Sequence, residues 1–215
     1  MIINLALISQ PTAPNAQLAI SKLLSRLEVT TPKIGYIASA PDPKQEYYRQ
    51  TQQIYSALNA EMDVYLELES EFSQQALDAL LTCDVIHLSG GDTQRFLQAI
   101  KQRQLIEPLN TFAVNGGAIV GVSAGAILLT PSIASAALCG DEVKGPQEEL
   151  NALNLVPFQF VPHFESIQLS RGTFNQQLKS LTHAVYLCGD NDALLLADKK
   201  IAIYGAPRLI DFDAK

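Results

Sequence analysis

A chain of 215 residues is long enough for one well-buried α/β domain over residues 1–215, and nothing in its length calls for a second. With 47% hydrophobic and 17% charged residues the composition excludes a disordered chain and a fibrous repeat. A net charge of −7, with the basic residues scattered, argues against a nucleic-acid partner, since phosphate binding draws on clustered Lys and Arg.

The opening apolar run from Ile2 to Ile8 has no basic segment before it and meets Pro11 after a short polar break, so it reads as a buried strand rather than a signal peptide. Downstream, short apolar runs alternate with longer helical patterns. Strands are expected at Ile3–Ser9, Lys33–Ala38, Asp63–Leu68, Val85–Leu88 and Ala118–Val122, with helices near Ala16–Leu27, Gln45–Leu58, Ser73–Thr82 and Thr93–Lys101 between them. Several of these strands are nearly continuous in apolar residues, as strands covered on both faces should be. No element is assigned between Lys101 and Ala118. After Ser123 the pattern changes: Ala124–Leu129 starts a helix that Pro131 constrains, and Ser132–Glu149 reads as a loop. A strand at Phe158–Val161 ends at Pro162-His163; a helix near Thr173–Leu181 and strands at Ala184–Leu187, Ala193–Ala197 and Lys200–Tyr204 complete the chain. The expected architecture is a single doubly wound α/β domain with a mostly parallel central sheet.

Cys83, Cys139 and Cys188 are odd in number and outside any CxxC spacing, which suits a reducing compartment and argues against a disulfide framework or a structural zinc. Cytoplasm is the expected location. No segment approaches the length of a membrane span.

The segment Gly121-Val122-Ser123-Ala124-Gly125 fits G-x-S-x-G at the point where a strand turns into a helix. Such an elbow presents the serine hydroxyl at the carboxyl edge of the sheet, and small flanking residues let strand and helix approach closely. The amide of Ala124 is then placed to meet a developing oxyanion. A serine hydroxyl needs a base, and the chain has three histidines. His87 lies inside a strand and His183 in a polar turn, whereas His163 follows a strand and a proline, where its ring could reach the edge that carries Ser123. Gly90-Gly91-Asp92-Thr93 ends another strand; it lacks the Lys and glycine spacing of a phosphate loop, so a free backbone N–H beside a substrate carbonyl is the better use for it.

These segments together resemble peptidase family S51, the group of dipeptidase E and cyanophycinase with a class I glutamine amidotransferase-like (flavodoxin-like) fold. The resemblance runs through Ile34–Pro41, Val85–Thr93, Gly121–Leu128, the Ala152-Leu153-Asn154-Leu155 run and Pro162-His163-Phe164. It implies Ser123 as nucleophile, His163 as base and Gly91 as an oxyanion donor beside Ala124. It implies no metal and no organic cofactor, and a small peptide as partner of a monomer or homodimer.

The resemblance also implies an acid between serine and histidine. Counting forward from Ser123 reaches Leu138, and counting back from His163 reaches Asp141, with Glu142 beside it and Glu165 as a further choice. Asp141 is the expected third member. Recognition of an N-terminal aspartyl residue, as in dipeptidase E, calls for a cation, and Arg171 is the expected one. The activity implied is hydrolysis of dipeptides or short peptides through an acyl-enzyme. Other readings are a catalytically silent binding module on the same fold, and a cyanophycinase-like enzyme or esterase.

Overall fold

The strands that read as continuous apolar runs occupy the middle of the sheet, where both faces are covered. A computed structural model describes residues 3–212; Ile2, where the first apolar run begins, lies outside them. In chain order the elements are β1 (Asn4–Ile8), α1 (Pro14–Leu24), β2 (Lys33–Ile37), α2 (Glu46–Ala57), β3 (Glu61–Leu66), α3 (Gln74–Leu80), β4 (Val85–Leu88), α4 (Thr93–Gln102), α5 (Ile106–Val114), β5 (Ala118–Val122) and α6 (Ala124–Leu128). Then come α7 (Gln147–Leu150), β6 (Gln159–Val161), α8 (Gly172–Ser180), β7 (Val185–Leu187), β8 (Ala193–Ala197), β9 (Lys200–Tyr204) and β10 (Arg208–Ile210). The seven-stranded sheet runs in the order β3-β2-β4-β5-β1-β8-β9. From β3 to β1 the neighbours are parallel; β8 and β9 add antiparallel at one edge.

Alternation along the strands sends side chains to two cores. Leu5, Leu7, Ile86, Leu88 and Ile119 face α3 to α6, whereas Ala6, Ile8, Val85, Val120 and Val122 face α1 and α2. This is the doubly wound arrangement. β6, β7 and β10 form a second, three-stranded sheet in the order β10-β7-β6, with β6 and β7 parallel. Phe160 and Tyr186 of that small sheet share a core cluster with Leu5 and Ile119 of the large one, while Val161, Val185 and Leu187 pack under Phe174 and Leu178 of α8.

Three elements differ from the expected ones. The stretch 132–149 is not a plain loop: Ile133–Cys139 winds as a 3-10 helix and Gln147–Leu150 as α7. α5 occupies the region left unassigned; its Pro108 stands in the first turn, where the missing N–H has no helical acceptor to lose. β10, a short and largely exposed strand, is held by pairing with β7 rather than by any apolar period of its own.

Candidate active site

The loops that follow β1, β2, β4 and β5 open on one edge of the sheet and surround a cleft of about 560 Å³. It is lined by residues that include Ser39, Asp42, Gly91, Ser123 and His163. A shallower hollow of about 640 Å³ lies at the opposite edge, where Cys83, Asp84 and Gly117 precede β4 and β5. Burial pushes the Cys83 thiol up to about 11, so that hollow carries no ready nucleophile.

Ser123 sits between β5 and α6 with φ 51° and ψ −109°, outside the regions open to most L-residues. The turn is held from both sides: Ser123 N–H donates to Ile8 O at 2.8 Å, and Gly125 N–H to Ser89 O at 3.1 Å. Glycine at 121 and 125 is required by contact, because a Cβ on Gly121 would lie 2.6 Å from Gly125 O and one on Gly125 would lie 2.2 Å from Leu88 O. Both obstacles are backbone. Gly125→Ala is therefore expected to lower stability by about 3 kcal/mol or more, read as a fall in the urea midpoint at constant slope.

The β4–α4 loop passes directly beside this turn; a Cβ on Gly90 would lie 3.4 Å from that of Ser123. Gly91 follows with φ +145°, and a side chain there would strike Ser39 Oγ at 2.3 Å. The amides of Gly91 and Ala124 have no hydrogen-bond partner among the described residues. Asp92 closes the loop by accepting from Arg95 N–H at 2.8 Å as the cap of α4.

His163 approaches from the small sheet. It follows β6 at a positive φ of 55°, and its Nε2 lies 3.0 Å from Ser123 Oγ. Its Nδ1 lies 2.5 Å from Asp190 Oδ1. Asp190 follows β7, and the parallel register Val161↔Leu187 brings the ends of β6 and β7 side by side. Cys188 N–H to Val161 O and Phe164 N–H to Cys188 O, both 2.9 Å, extend that pairing to the two loops. The Asp190 loop is tied further by Asp192, whose carboxylate accepts from Gly189 N–H at 2.8 Å and Ala206 N–H at 2.7 Å. The histidine and aspartate side chains are 43% and 65% exposed, so their pairing contributes little to stability. What it does is fix the imidazole.

The expected acid is elsewhere. Asp141 Oδ2 accepts from Thr93 Oγ1 at 2.6 Å and from Thr93 N–H at 3.3 Å, tying the segment after the 3-10 helix to the start of α4. Glu142 pairs with Lys144, and Glu165 forms a capping box with Gln168. None of the three meets His163. The carboxylate that does is Asp190, which a residue count between Ser123 and His163 does not reach; its mark in the sequence is its place just beyond the apolar strand β7, as His163 lies just beyond β6.

Arg171 is also displaced from its expected role. α8 lays Phe174 and Leu178 on the small sheet, which leaves Arg171 exposed at its N-terminal end and outside the lining of the cleft. The guanidinium in the cleft is Arg95, held by Glu69 through contacts of 2.6 and 2.7 Å.

A model of "Peptidase family S51" matches residues 5–204. The chain belongs to peptidase family S51. Among curated relatives, an uncharacterized peptidase, YgaJ, of Bacillus subtilis is 24% identical over 74% of this chain and 66% of its own length. Peptidase E of Escherichia coli is 31% identical over 40% of this chain and 36% of its own. The chain thus spans two thirds or less of these relatives. In fold, a protein described as a peptidase E candidate from Listeria monocytogenes EGD-e superposes with a TM-score of 0.74 at 20% identity, covering 96% of this chain and all of that one. A peptidase from an acI-B1 actinobacterium gives 0.66 at 16%, covering 98% and 95%.

His87 and His183 take no part in the Ser123 contact. His183 lies 3.1 Å from its neighbour Thr182. His87 is buried, and burial pushes its pKa down from 6.5 to about 3. The unfolded chain therefore binds a proton below pH 6.5 that the folded chain refuses until about 3. This contribution is complete above 6.5 and is lost on acidification at up to about 1.4 kcal/mol per pH unit. Urea midpoints measured across that window should decline less steeply in a His87→Leu variant.

Proposed function

We propose that this chain is a serine peptidase that hydrolyses dipeptides or other short peptides through a Ser123–His163–Asp190 triad. The observation that carries the reading is the continuous relay of contacts, 2.5 Å from Asp190 to His163 and 3.0 Å from His163 to Ser123, at the mouth of a cleft. With Asp190 accepting from Nδ1–H, the lone pair of Nε2 faces the hydroxyl. Nε2 takes the proton as Oγ attacks the peptide carbonyl, and the resulting imidazolium is stabilised by Asp190. The amides of Gly91 and Ala124 receive the tetrahedral oxyanion. Nε2–H then protonates the leaving amine, which departs and leaves an acyl-Ser123. Water, deprotonated by the same nitrogen, attacks that ester and releases the acid.

Family S51 membership and an intact relay both favour catalysis over a silent binding module. The cleft volume suits a short peptide. Its cation is already engaged by Glu69, and Asp42 and Asp92 also line it, so an N-terminal aspartyl side chain meets no free partner there. The reading is tested with a fluorophosphonate probe, which is expected to label Ser123 and to fail on a Ser123→Ala chain. No labelling of the native chain, under conditions that label a control serine hydrolase, would overturn it.

A further inference from the structure

His87 projects from β4 toward the α1 and α2 face of the sheet, in register with Tyr36 of β2 and Val120 of β5. Although only 2% exposed, it lines the same cleft as Ser123. Its Nδ1 lies 3.0 Å from the Tyr55 hydroxyl, and its ring stacks on Tyr36 at 5.2 Å with 12° between the planes. Nε2 has no protein partner among the described residues. It is not sealed in the core either, since among those residues the enclosed side-chain polar atom without a partner is Asn110 Oδ1. Nε2 therefore opens onto the cleft.

The tautomer follows from Tyr55. That side chain is fully buried, and among the described residues Nδ1 is the one acceptor its hydroxyl reaches. A buried donor is costly to leave unmatched, so Tyr55 donates to Nδ1 and the imidazole carries its proton on Nε2. Burial keeps the ring uncharged. The cleft thus ends on a fixed, neutral N–H donor.

We propose that the Nε2–H of His87 selects peptides whose residue on the acyl side of the scissile bond ends in an uncharged hydrogen-bond acceptor, glutamine in preference to glutamate or methionine. This rests on the hydrolase reading above for the position of the scissile bond. Reach sets the length: His87 pairs with Val120, three residues before Ser123, a run of about 10 Å along the strand. Glutamate would bring a carboxylate out of water into a cleft that offers a neutral donor and a guanidinium committed to Glu69. Methionine would leave Nε2–H without an acceptor.

The test compares Gln-Leu, Glu-Leu and Met-Leu as substrates for the native chain and for a chain carrying His87→Leu with Tyr55→Phe, which removes the donor without orphaning the hydroxyl. In the native chain kcat/KM for Gln-Leu should exceed that for each of the others by about 10- to 100-fold. In the double variant, Gln-Leu and Met-Leu should come within about threefold of each other. An unchanged preference in the variant, or a native preference for Glu-Leu or Met-Leu, overturns the proposal. If the double variant does not fold, Tyr55→Phe alone serves, since it frees Nδ1 to hold the proton and should weaken the Gln-Leu preference.

Calorimetric binding of the same dipeptides to a Ser123→Ala chain separates this inference from the hydrolase reading. Tighter binding of Gln-Leu there, lost when His87 is also replaced, supports the pocket even if the native chain neither turns over peptides nor takes the fluorophosphonate. Turnover and labelling without any such discrimination overturn the pocket and leave the hydrolase reading standing.

Discussion

Ser123→Gly is expected to remove activity and to make the protein more stable. The serine holds φ 51° and ψ −109°, a conformation that costs an L-residue about 1–3 kcal/mol and glycine far less. Part of the gain is offset by the greater freedom of glycine in the unfolded chain, leaving about 1 kcal/mol in favour of the variant. Peptide turnover, in contrast, should fall by about 10⁴- to 10⁶-fold, because the proposed oxyanion donors and the cleft remain but the proposed acyl-enzyme cannot form. Ser123→Ala is the companion measurement: it should lose activity to the same extent without the gain in thermal midpoint, since alanine keeps the Cβ. Turnover within tenfold of the native value in either variant would remove Ser123 as the nucleophile.

Asp190→Asn and Asp141→Asn should separate the acid of the proposed triad from the acid expected by counting residues. With Asp190 replaced, nothing fixes the imidazole with its proton on Nδ1, and kcat should fall by about 10³- to 10⁴-fold with KM little changed. The exposure of the pair means that stability should move by less than about 1 kcal/mol. Asp141→Asn should do the opposite. Its carboxylate holds Thr93 through N–H and Oγ, so the variant should lose about 1 kcal/mol of stability while keeping kcat. Steady-state kinetics and urea unfolding on both variants decide the matter; the reverse pattern would reinstate Asp141.

The proposed site joins the two sheets. The large sheet supplies the proposed nucleophile and backbone donors at the ends of β5 and β4, whose mutual register is set by a core covered on both faces. The proposed base and acid follow β6 and β7, and their loops are stitched by Asp192 and by Ser9, whose hydroxyl donates to Cys188 O at 3.2 Å. Positive φ at both Ser123 and His163 concentrates strain where the two sheets meet, a pattern typical of catalytic sites.

Local chemistry alone determined much of this. Apolar runs and helical periods placed nearly every strand and the longer helices, because burial on two faces writes itself into consecutive residues. Gly121 and Gly125 marked the elbow for an equally local reason, since no other residue fits against the backbone of α6 and β4. Where the sequence reading fell short, the cause was distance along the chain or context. α5 follows Leu105, which offers no side-chain cap, and has a proline in its first turn, so little in its own residues marks where it starts. The partner of His163 lies 27 residues away and is brought beside it by the parallel pairing of two three-residue strands. That register arises from packing under α8 and against the large sheet, and strands so short leave no periodic trace of which neighbour they will choose. Asp141 likewise found Thr93 because the fold carried it there, and a count of residues between serine and histidine holds no information about that contact.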